Sequence, residues 1–239
     1  MPKYSIVIPC YNEIENIDNL ISHIIASIDK FDSEFILVEN GSKDNSRLYF
    51  QEHVEGKNPK IRVVYVDRNF GYGYGIQQGL KVASGEYLGW THADMQIPIE
   101  SFFSFFEIIE KQDKSNELFL KSRRKNRTAF ELIFTKGQAL FSTCLFKHKM
   151  VDVASVPSLF SRSLIEKKGI EAMPNDFSID IYIYWEAVRQ GYRVIRPMVS
   201  VLPRKNGGST WNRGMKSRIR QSCVIIKDSI KIKRGVKIV

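Results

Sequence analysis

Short apolar runs alternate with stretches of helical periodicity through the first 94 residues. Isoleucine and leucine recur at helical spacing over 14–28, a short helix is predicted after the turn GSKDNS, and Gly71–Ala83 is predicted as a glycine-opened helix. Four apolar runs fit buried strands: Tyr4–Pro9, Glu34–Val38, Ile61–Val66 and Glu86–Trp90. Strands that alternate with helices predict a mainly parallel central sheet with right-handed crossovers, and hence an α/β fold.

Polar clusters follow each of these predicted strands. Because ligands of open α/β sheets bind outside the carboxyl ends of the strands, we expect the clusters to converge on one edge. Asn12 and Glu15 are also placed to cap the first helix reciprocally. The clusters are 9–13 (PCYNE), 39–42 (ENGS), 67–69 (DRN) and 92–94 (HAD).

The second half of the chain is less regular. Pro98–Lys111 is predicted as a phenylalanine-rich helix, and Glu117–Leu120 and Val194–Leu202 are predicted as strands. The stretch FSIDIYIY at 177–184 alternates like a strand, but its continuation to Arg189 favours a buried helix.

Met215–Lys233 has the pattern of a basic amphipathic helix. Its apolar stripe consists of Ile219, Cys223, Ile226 and Ile230. The segment 215–239 holds eight basic residues and one acidic residue, which is typical of reversible docking on an anionic membrane surface. The aromatic segment 130–146 is open to two interpretations, a part of the same docking surface or ordinary core packing.

Charge is divided unevenly along the chain, whose net charge is +10. Residues 1–100 hold 9 Lys/Arg and 14 Asp/Glu, a net charge of −5, so the remaining residues carry +15. This polarity predicts that the second half meets an anionic partner. A nucleic-acid-binding protein is a rival hypothesis, but the chain has no helix-turn-helix pattern or zinc-ligand spacing, and we expect no nucleic-acid partner.

Composition disfavours several other classes. No apolar segment approaches the ~18 residues that span a bilayer, and the short apolar run near the N-terminus does not fit a secretion signal. Three scattered cysteines without a CxxC pair disfavour a disulfide framework. We therefore expect a cytoplasmic protein.

The most informative strand end is 86-EYLGWTHADMQIPIE-100, where an apolar run stops at metal-capable side chains. If the stretch stays extended, residues two apart point the same way, and His92, Asp94 and Gln96 share one face. Such a thin shell would hold Mn²⁺ or Mg²⁺ weakly unless substrate phosphates completed it. A metal–diphosphate donor fits this pattern, and ordinary strand-end polarity is the alternative.

The glycines of 69-NFGYGYGIQQG-79 open a predicted helix and could admit phosphate. Their spacing is not GxGxxG, and they follow the third predicted strand, so the dinucleotide fingerprint is absent. The phosphate-loop pattern GxxxxGK[ST] is also absent. ATP- and NAD-binding classes are therefore disfavoured.

Together these segments resemble the family-two inverting glycosyltransferases of GT-A fold, especially polyprenyl-phosphate sugar transferases of the dolichol-phosphate mannose synthase type. The resemblance begins with IVIPCYNEIENI at 6–17 and ILVENGSKDNS at 36–46, and it continues through 67–96. Weaker similarity extends over 151–165 and 204–211. The similar segments are spread along most of the chain, from residue 6 to residue 211, in the family's order and spacing.

In such enzymes the PxYNE and DDGS-like segments hold the donor nucleoside, and a DxD motif holds the metal and diphosphate. The resemblance therefore implies Asp94 as metal ligand, supported by Gln96, in a Mn²⁺- or Mg²⁺-dependent transferase that uses a UDP- or GDP-sugar. DDGS reads ENGS here, and His92 replaces the first Asp of DxD, so His92 either binds the metal or contacts the diphosphate or ribose. The implied donor-binding residues are Pro9, Tyr11, Asn12, Glu13, Glu39, Asn40, Ser42, Arg68, Gly71, His92, Ala93 and Asp94.

The acceptor decides whether the reaction needs a base. A lipid phosphate is already ionised, whereas a saccharide hydroxyl needs a general base that contributes roughly 10²–10⁴-fold. Asp176 and Asp180 are candidates, with Asp180 preferred, although acids at a helix start often only complement its dipole. The residues expected at an acceptor phosphate are Arg123, Arg124, Arg127, Arg204 and Ser209, the last two from the R-x-x-G-x-S element of the resembled family. Asp94, Asp180 and Arg204 are the residues expected to carry the chemistry.

These expectations divide the chain by role. One GT-A domain is expected over 1–214, with a donor-binding half at 1–96, an acceptor-binding half at 97–214 and a basic tail at 215–239. We expect peripheral association with the inner face of a membrane and transfer to a polyprenyl phosphate. Transfer to a saccharide hydroxyl in polysaccharide or lipopolysaccharide assembly, with Asp180 as base, is the alternative. A nucleotidyltransferase with a similar core ranks lower.

Overall fold

The computed structural model describes residues 1–112, 117–126, 128–204 and 215–236. Within these ranges the strands are β1 (Tyr4–Cys10), β2 (Ser33–Asn40), β3 (Ile61–Val66), β4 (Tyr87–Trp90), β5 (Leu118–Lys121), β6 (Arg123–Lys125), β7 (Ser158–Ser161), β8 (Arg193–Ile195) and β9 (Met198–Ser200). The helices are α1 (Ile14–Ser27), α2 (Ser46–His53), α3 (Tyr72–Val82), α4 (Ser101–Glu110), α5 (Ala129–Phe146), α6 (Ser163–Glu166), α7 (Ile179–Arg189) and α8 (Met215–Lys233), with a 3₁₀ turn at Ile170–Ala172.

The central sheet is mainly parallel, as the sequence predicts. Its strand order is β3-β2-β1-β4-β7-β5-β8, and β6 pairs with β9 in a separate two-stranded ribbon. Only β7 among these strands runs antiparallel to its neighbours, β4 and β5. The carboxyl ends of β1, β2, β3 and β4 therefore meet at one edge, where ligands of α/β sheets bind.

The sheet is covered on both faces, which explains why its inner strands are continuous apolar runs. Every residue of β1 and β2 is buried, as expected for a parallel sheet between two layers of helices. Helix α3 packs closely because Gly79 has no side chain: a Cβ there would lie 2.3 Å from Cγ1 of Val7. The glycine-opened helix predicted over Gly71–Ala83 is confirmed.

The predicted cap of α1 is wrong. Asn12 has a positive φ of 54°, and Glu13 precedes the helix without a side-chain capping bond. The Asn12 Oδ1 atom instead accepts a hydrogen bond from the Lys43 backbone N at 2.7 Å. The Asn12 side chain thus links two loops instead of capping α1.

Two predictions for the second half have different outcomes. The ambiguous stretch 177–184 enters helix α7, in which Ile179 and Ile183 are completely buried. The single strand predicted over Val194–Leu202 is wrong, because the chain leaves the main sheet after β8 and joins β6 as β9. Pro197, which lies between the two strands, has no backbone N–H to continue a ladder.

Helix α8 packs on the domain through its second half. Ser229 and Ile232 are buried, and the Ser178 hydroxyl donates to the Asp228 carboxylate at 3.1 Å. Cys223 and Ile226, two members of the predicted apolar stripe, are exposed. In the ranges that the structure describes, no helix combines the length and apolar character needed to cross a bilayer.

Helix α5, which contains the aromatic segment 130–146, has both buried and exposed apolar side chains. Phe146 is buried and stacks on Trp185 with ring centroids 4.6 Å apart. Ile133 and Leu140 are 68% and 67% exposed. Because they are seven residues apart, they lie on the same face of the helix.

Candidate active site

The loops that follow β1 and β2 are joined by hydrogen bonds. The Asn12 backbone N donates to the Ser42 hydroxyl at 3.1 Å, and the Ser42 backbone N donates to the Glu39 carboxylate at 2.6 Å. Pro9 is buried beside them at the end of β1, and Tyr11 is half-buried. The structure thus brings the PCYNE and ENGS segments together at the sheet edge.

Glu39 is a completely buried carboxylate that is balanced by Arg47. The Arg47 Nε atom lies 3.0 Å from Glu39 Oε2, and its Nη2 donates to the Val66 carbonyl at 3.1 Å. Sequence reasoning did not single out Arg47. Its position in the first turn of the helix that follows the ENGS segment was the one sequence feature that could have indicated a partner for Glu39.

Asn40 connects the end of β2 to the start of α3. Its Nδ2 donates to the Gly71 carbonyl at 3.0 Å, and Asn69 Nδ2 donates to the Asn40 carbonyl at 3.1 Å. Gly71 has a φ of 122°, and a Cβ there would lie 2.3 Å from the Asn175 carbonyl oxygen, so no side chain fits at position 71.

Arg68 lies at the same edge of the sheet. Its backbone packs against Gly41, where a Cβ would lie 2.4 Å from the Arg68 carbonyl carbon. The guanidinium is over the Phe70 ring, 4.4 Å from its centroid. Arg68 and Gly71 are therefore placed beside the ENGS segment.

The segment after β4 is a turn and not the extended stretch we expected. Met95 has a positive φ of 55°, and Asp94 Oδ1 accepts from the Gln96 backbone N at 3.1 Å. The His92 and Tyr72 rings form a T-shaped pair, with centroids 5.1 Å apart. The Gln96 side chain donates to the Leu202 carbonyl at 3.4 Å. The extended alternation that would place these three side chains on one face is therefore absent; Ala93, between His92 and Asp94, is buried.

Arg204 joins two carboxylates from distant parts of the sequence. Its Nη2 donates to both oxygens of Glu13, at 2.9 and 2.8 Å, and its Nη1 lies 3.6 Å from Asp94 Oδ2. The three side chains are largely buried, being 17%, 14% and 14% exposed. Glu13 and Asp94 thus face one positive group at the edge of the sheet.

The environment of Glu13 changes its acidity. Burial, the largest influence, raises the pKa of Glu13, while hydrogen bonds from Asn16 and Arg204 lower it and the Asp94 carboxylate raises it. The pKa of Glu13 lies above its usual value as a result. Loss of the Arg204 charge would increase repulsion between the two carboxylates.

Asp180 is buried below the site and already has partners. It is 3% exposed; its Oδ1 accepts from the Trp90 indole N–H at 3.0 Å and lies 3.6 Å from Lys121 Nζ. Asp176, the other base candidate, accepts from the Ser178 backbone N at 2.8 Å. Burial raises the pKa of Asp176 above its usual value, against the bonds from Ser178.

The arginines expected at an acceptor phosphate differ in their surroundings. Arg123 is exposed on β6. Arg124 is bound through its Nε and Nη2 to the buried carboxylate of Asp152, so its guanidinium has a structural partner. Arg127 and Ser209 lie outside the described residues.

A divalent cation would find few protein ligands here. Within the described ranges no group of three or more His, Cys, Asp and Glu side chains is placed to hold a metal. Asp94 and Glu13 nevertheless surround a cationic group together, and oxygen ligands of this kind suit Mn²⁺ or Mg²⁺. The residues fit a cation whose remaining ligands come from a bound diphosphate.

The family follows from a comparison with known domains. Residues 5–167, more than half of the chain, match the domain described as Glycosyl transferase family 2. The chain belongs to this family. The resemblance to family-two glycosyltransferases noted in the sequence is therefore confirmed.

Curated relatives of this family 2 protein include transferases whose names contain undecaprenyl phosphate. It is 34% identical over 100 residues to an undecaprenyl-phosphate 4-deoxy-4-formamido-L-arabinose transferase of Proteus mirabilis, covering 41% of this chain and 31% of the relative. It is 32% identical over 133 residues to the uncharacterized glycosyltransferase YkcC of Bacillus subtilis, covering 54% and 40%. The matches span less than half the length of these relatives.

Solved structures confirm the fold. Glucosyl-3-phosphoglycerate synthase of Mycobacterium tuberculosis, in complex with Mn²⁺, UDP and glucosyl-3-phosphoglycerate, superposes with a TM-score of 0.71 at 16% identity. The match covers 98% of this chain and 81% of that protein. The glycosyltransferase therefore has the GT-A fold.

Proposed function

We propose that this glycosyltransferase moves a sugar from a nucleoside diphosphate sugar to a polyprenyl phosphate at a membrane surface. The observation that carries the proposal is the meeting of Glu13, Asp94 and Arg204 at the carboxyl edge of the sheet. This arrangement provides carboxylates for a cation and an arginine fork for phosphate within one site. In the proposed roles, Asp94 and Arg204 lie at the reacting groups.

The loops after β1 and β2 are proposed to hold the donor nucleoside. Their mutual hydrogen bonds fix the backbone before any ligand arrives, which reduces the entropy lost on binding. A UDP- or GDP-sugar fits the proposal. The residues assigned to this pocket are Pro9, Tyr11, Asn12, Glu13, Glu39, Asn40, Ser42, Arg68, Gly71, His92, Ala93 and Asp94.

Mn²⁺ or Mg²⁺ is the proposed cofactor, with Asp94 as its ligand and with His92 and Gln96 beside it. When bound, a divalent cation would neutralise charge that builds on the leaving diphosphate. The Gln96 backbone N–H donates to Asp94 Oδ1, and Asp94 Oδ2 lies 3.6 Å from Arg204 Nη1. The Mn²⁺ and UDP complex of the mycobacterial synthase supports this assignment for the fold.

The acceptor is proposed to be a phosphate because Asp180, the preferred base candidate, already has partners within the residues that the structure describes. Asp180 accepts a hydrogen bond from the Trp90 indole and is paired with the Lys121 ammonium. An ionised phosphate needs no base, only cations that position it. Arg204 and Arg123 are the proposed contacts, with Arg127 and Ser209 as further candidates. The Proteus relative named for undecaprenyl phosphate supports this acceptor class.

The surface of the molecule supports peripheral attachment to the inner face of a membrane. Ile133 and Leu140 are exposed on α5, and Lys136 lies one turn from Ile133. Helix α8, which contacts α5, exposes Val224 and Lys227. Exposed apolar side chains next to basic ones favour reversible binding to anionic lipids.

The donor assignment is tested by thermal shift with UDP-, GDP- and CDP-sugars, with and without Mn²⁺. A ligand at 100 times its Kd stabilises a protein by about 2.7 kcal/mol, which gives a readable change in Tm. We expect Asp94→Asn to lose the metal-dependent part of that shift. If this variant responds like the wild type, the metal assignment fails.

The acceptor assignment is tested with Asp180→Asn and a polyprenyl phosphate. The amide can still accept the Trp90 indole N–H, so we expect turnover to fall by no more than about tenfold. A loss beyond roughly 100-fold that Lys121→Met, which breaks the same ion pair, does not share would favour a saccharide hydroxyl as acceptor.

A further inference from the structure

Lys121, the last residue of β5, has a side chain that is completely buried. Its ammonium donates to the Ser158 hydroxyl at 3.2 Å and lies 3.6 Å from Asp180 Oδ1. Lysine is almost never fully buried unless it is paired, because desolvation of an ammonium is costly. Asp180 supplies the compensating charge.

The same carboxylate oxygen of Asp180 also accepts the Trp90 indole N–H at 3.0 Å. Trp90 ends β4, and it is paired with Ser158 across the antiparallel ladder to β7. Lys121 is paired with Ser158 on the other side of β7. One ion pair thus connects the ends of β4, β7 and β5 to the first turn of α7.

We propose that Lys121 is a positioning residue for glycosyl transfer: its buried ammonium holds Asp180 against the Trp90 indole and so fixes the strand end that carries His92 and Asp94. His92 and Asp94 follow Trp90 by two and four residues. A shift of the indole would therefore be transmitted directly to them. The functional consequence rests on the proposed donor site, whereas the contact itself can be measured without any substrate.

Burial and several charged groups determine the protonation state of Lys121. Burial, the largest influence, lowers the pKa of Lys121 to about 8, and Asp180 opposes this change. The other charges that act on Lys121 are those of Arg196, Asp152 and Arg124. The Tyr72 phenol, which interacts with Asp180, has a pKa raised by burial well above its usual value, so it stays neutral. The ammonium is consequently present below pH 8 and is lost as the pH rises through that value.

The contact is tested by following the Trp90 indole N–H resonance by NMR from about pH 6 to about pH 10 in the wild type. The resonance is assigned by its absence in Trp90→Phe. We expect it to move with a midpoint near the Lys121 pKa of about 8. The backbone amide resonances of His92 and Asp94 are expected to move with the same midpoint.

Lys121→Arg provides the decisive comparison, because arginine stays charged over the whole range. We expect the chemical shifts of its Trp90 indole and of its His92 and Asp94 amides to stay constant over the pH range in which those of the wild type titrate. Lys57→Arg, a change at an exposed lysine, is the matched control and should leave the titration in place. A wild-type indole that does not move, or one that titrates unchanged in Lys121→Arg, overturns the contact.

If arginine is too large for the buried position of Lys121 and Lys121→Arg does not fold, a double-variant cycle tests the same proposal. Lys121→Met and Asp180→Asn each leave one buried charge unpaired, and the combined variant restores neutrality. We expect the combined variant to exceed either single variant in Tm, and in kcat by at least about twofold. The proposal is overturned if the losses of Tm and kcat in the two single variants simply add in the combined variant. It is also overturned if the Trp90 indole resonance titrates while the amide resonances of His92 and Asp94 do not. Failure of every nucleotide sugar to bind would instead count against the proposed function.

Discussion

At the scale of single residues, Arg204 occupies the place of a competing cation. Glu13 and Asp94 both face its guanidinium, so a metal that binds there without a donor must first displace it. We expect Arg204→Met to raise the affinity of the free protein for Mn²⁺ by about tenfold, or about 1.4 kcal/mol. Titration of Mn²⁺ alone, followed by electron paramagnetic resonance, measures this directly.

The control for this change is Arg68→Met. It removes the same charge from the same sheet edge, but the Arg68 guanidinium lies over the Phe70 ring. Its effect on Mn²⁺ affinity should be small. Equal affinity in Arg204→Met and the wild type, or no Mn²⁺ binding by either, would contradict the competition.

Individual residues show what sequence patterns can and cannot predict. Asp94 was predicted to be at a ligand site because it follows an apolar strand of a parallel sheet. The ion pair of Glu13 with Arg204 was not predictable, since the residues are far apart in sequence and only the fold brings them together. The KSRRKNR segment had suggested Lys121 as a cation for an acceptor phosphate, and its burial was missed because a lysine at a strand end is usually exposed to solvent.

At the scale of elements, Glu34 ties three parts of the sheet together. Its carboxylate accepts from the Ser5 hydroxyl on β1 at 2.6 Å and from both the backbone N and the hydroxyl of Ser84 at 2.7 Å. Burial acts to raise the pKa of Glu34, but these bonds and the charge of Arg62 outweigh it, so the pKa lies below its usual value. The ionised carboxylate is therefore favoured in the folded state.

Glu34→Gln should lower the free energy of unfolding by about 1–3 kcal/mol at neutral pH, because hydrogen bonds to a charged acceptor are lost. A depressed folded-state pKa contributes stability above the ordinary pKa of about 4.3, and that contribution is lost as the pH falls below it. Urea denaturation at several pH values should show the two proteins converging in acid. Glu52→Gln, at a 56% exposed side chain, is the control; a constant difference at every pH would refute the account.

The elements themselves were largely predictable, and the exceptions have physical causes. Buried strands such as β1 and β2 are recognisable because both faces are covered and the apolar run is continuous. The break between β8 and β9 was missed because apolar residues continue through a change of sheet. The turn after β4 was missed because its positive φ at Met95 has no sequence signal.

At the scale of the whole molecule, the uneven charge distribution corresponds to a division of surfaces. The acidic first hundred residues build the edge that holds Glu13, Glu39 and Asp94. The basic remainder includes helices α5 and α8, which contact each other and expose apolar and basic side chains together. The proposed membrane-docking face and the proposed donor-binding edge are thus built from different parts of the chain.

We therefore expect the combined change Ile133→Ser and Leu140→Ser to weaken binding to anionic phospholipid vesicles by at least about tenfold, since each buried apolar side chain contributes roughly 1.5–3 kcal/mol. Both residues are already exposed, so the Tm should be unchanged. The matched control is Ile25→Ser with Leu48→Ser, two side chains that are each 52% exposed in the acidic half. Co-sedimentation with vesicles, repeated at high salt to screen the basic residues, separates the two contributions. If both pairs of changes weaken binding equally, the face formed by α5 is not the one that meets the lipid.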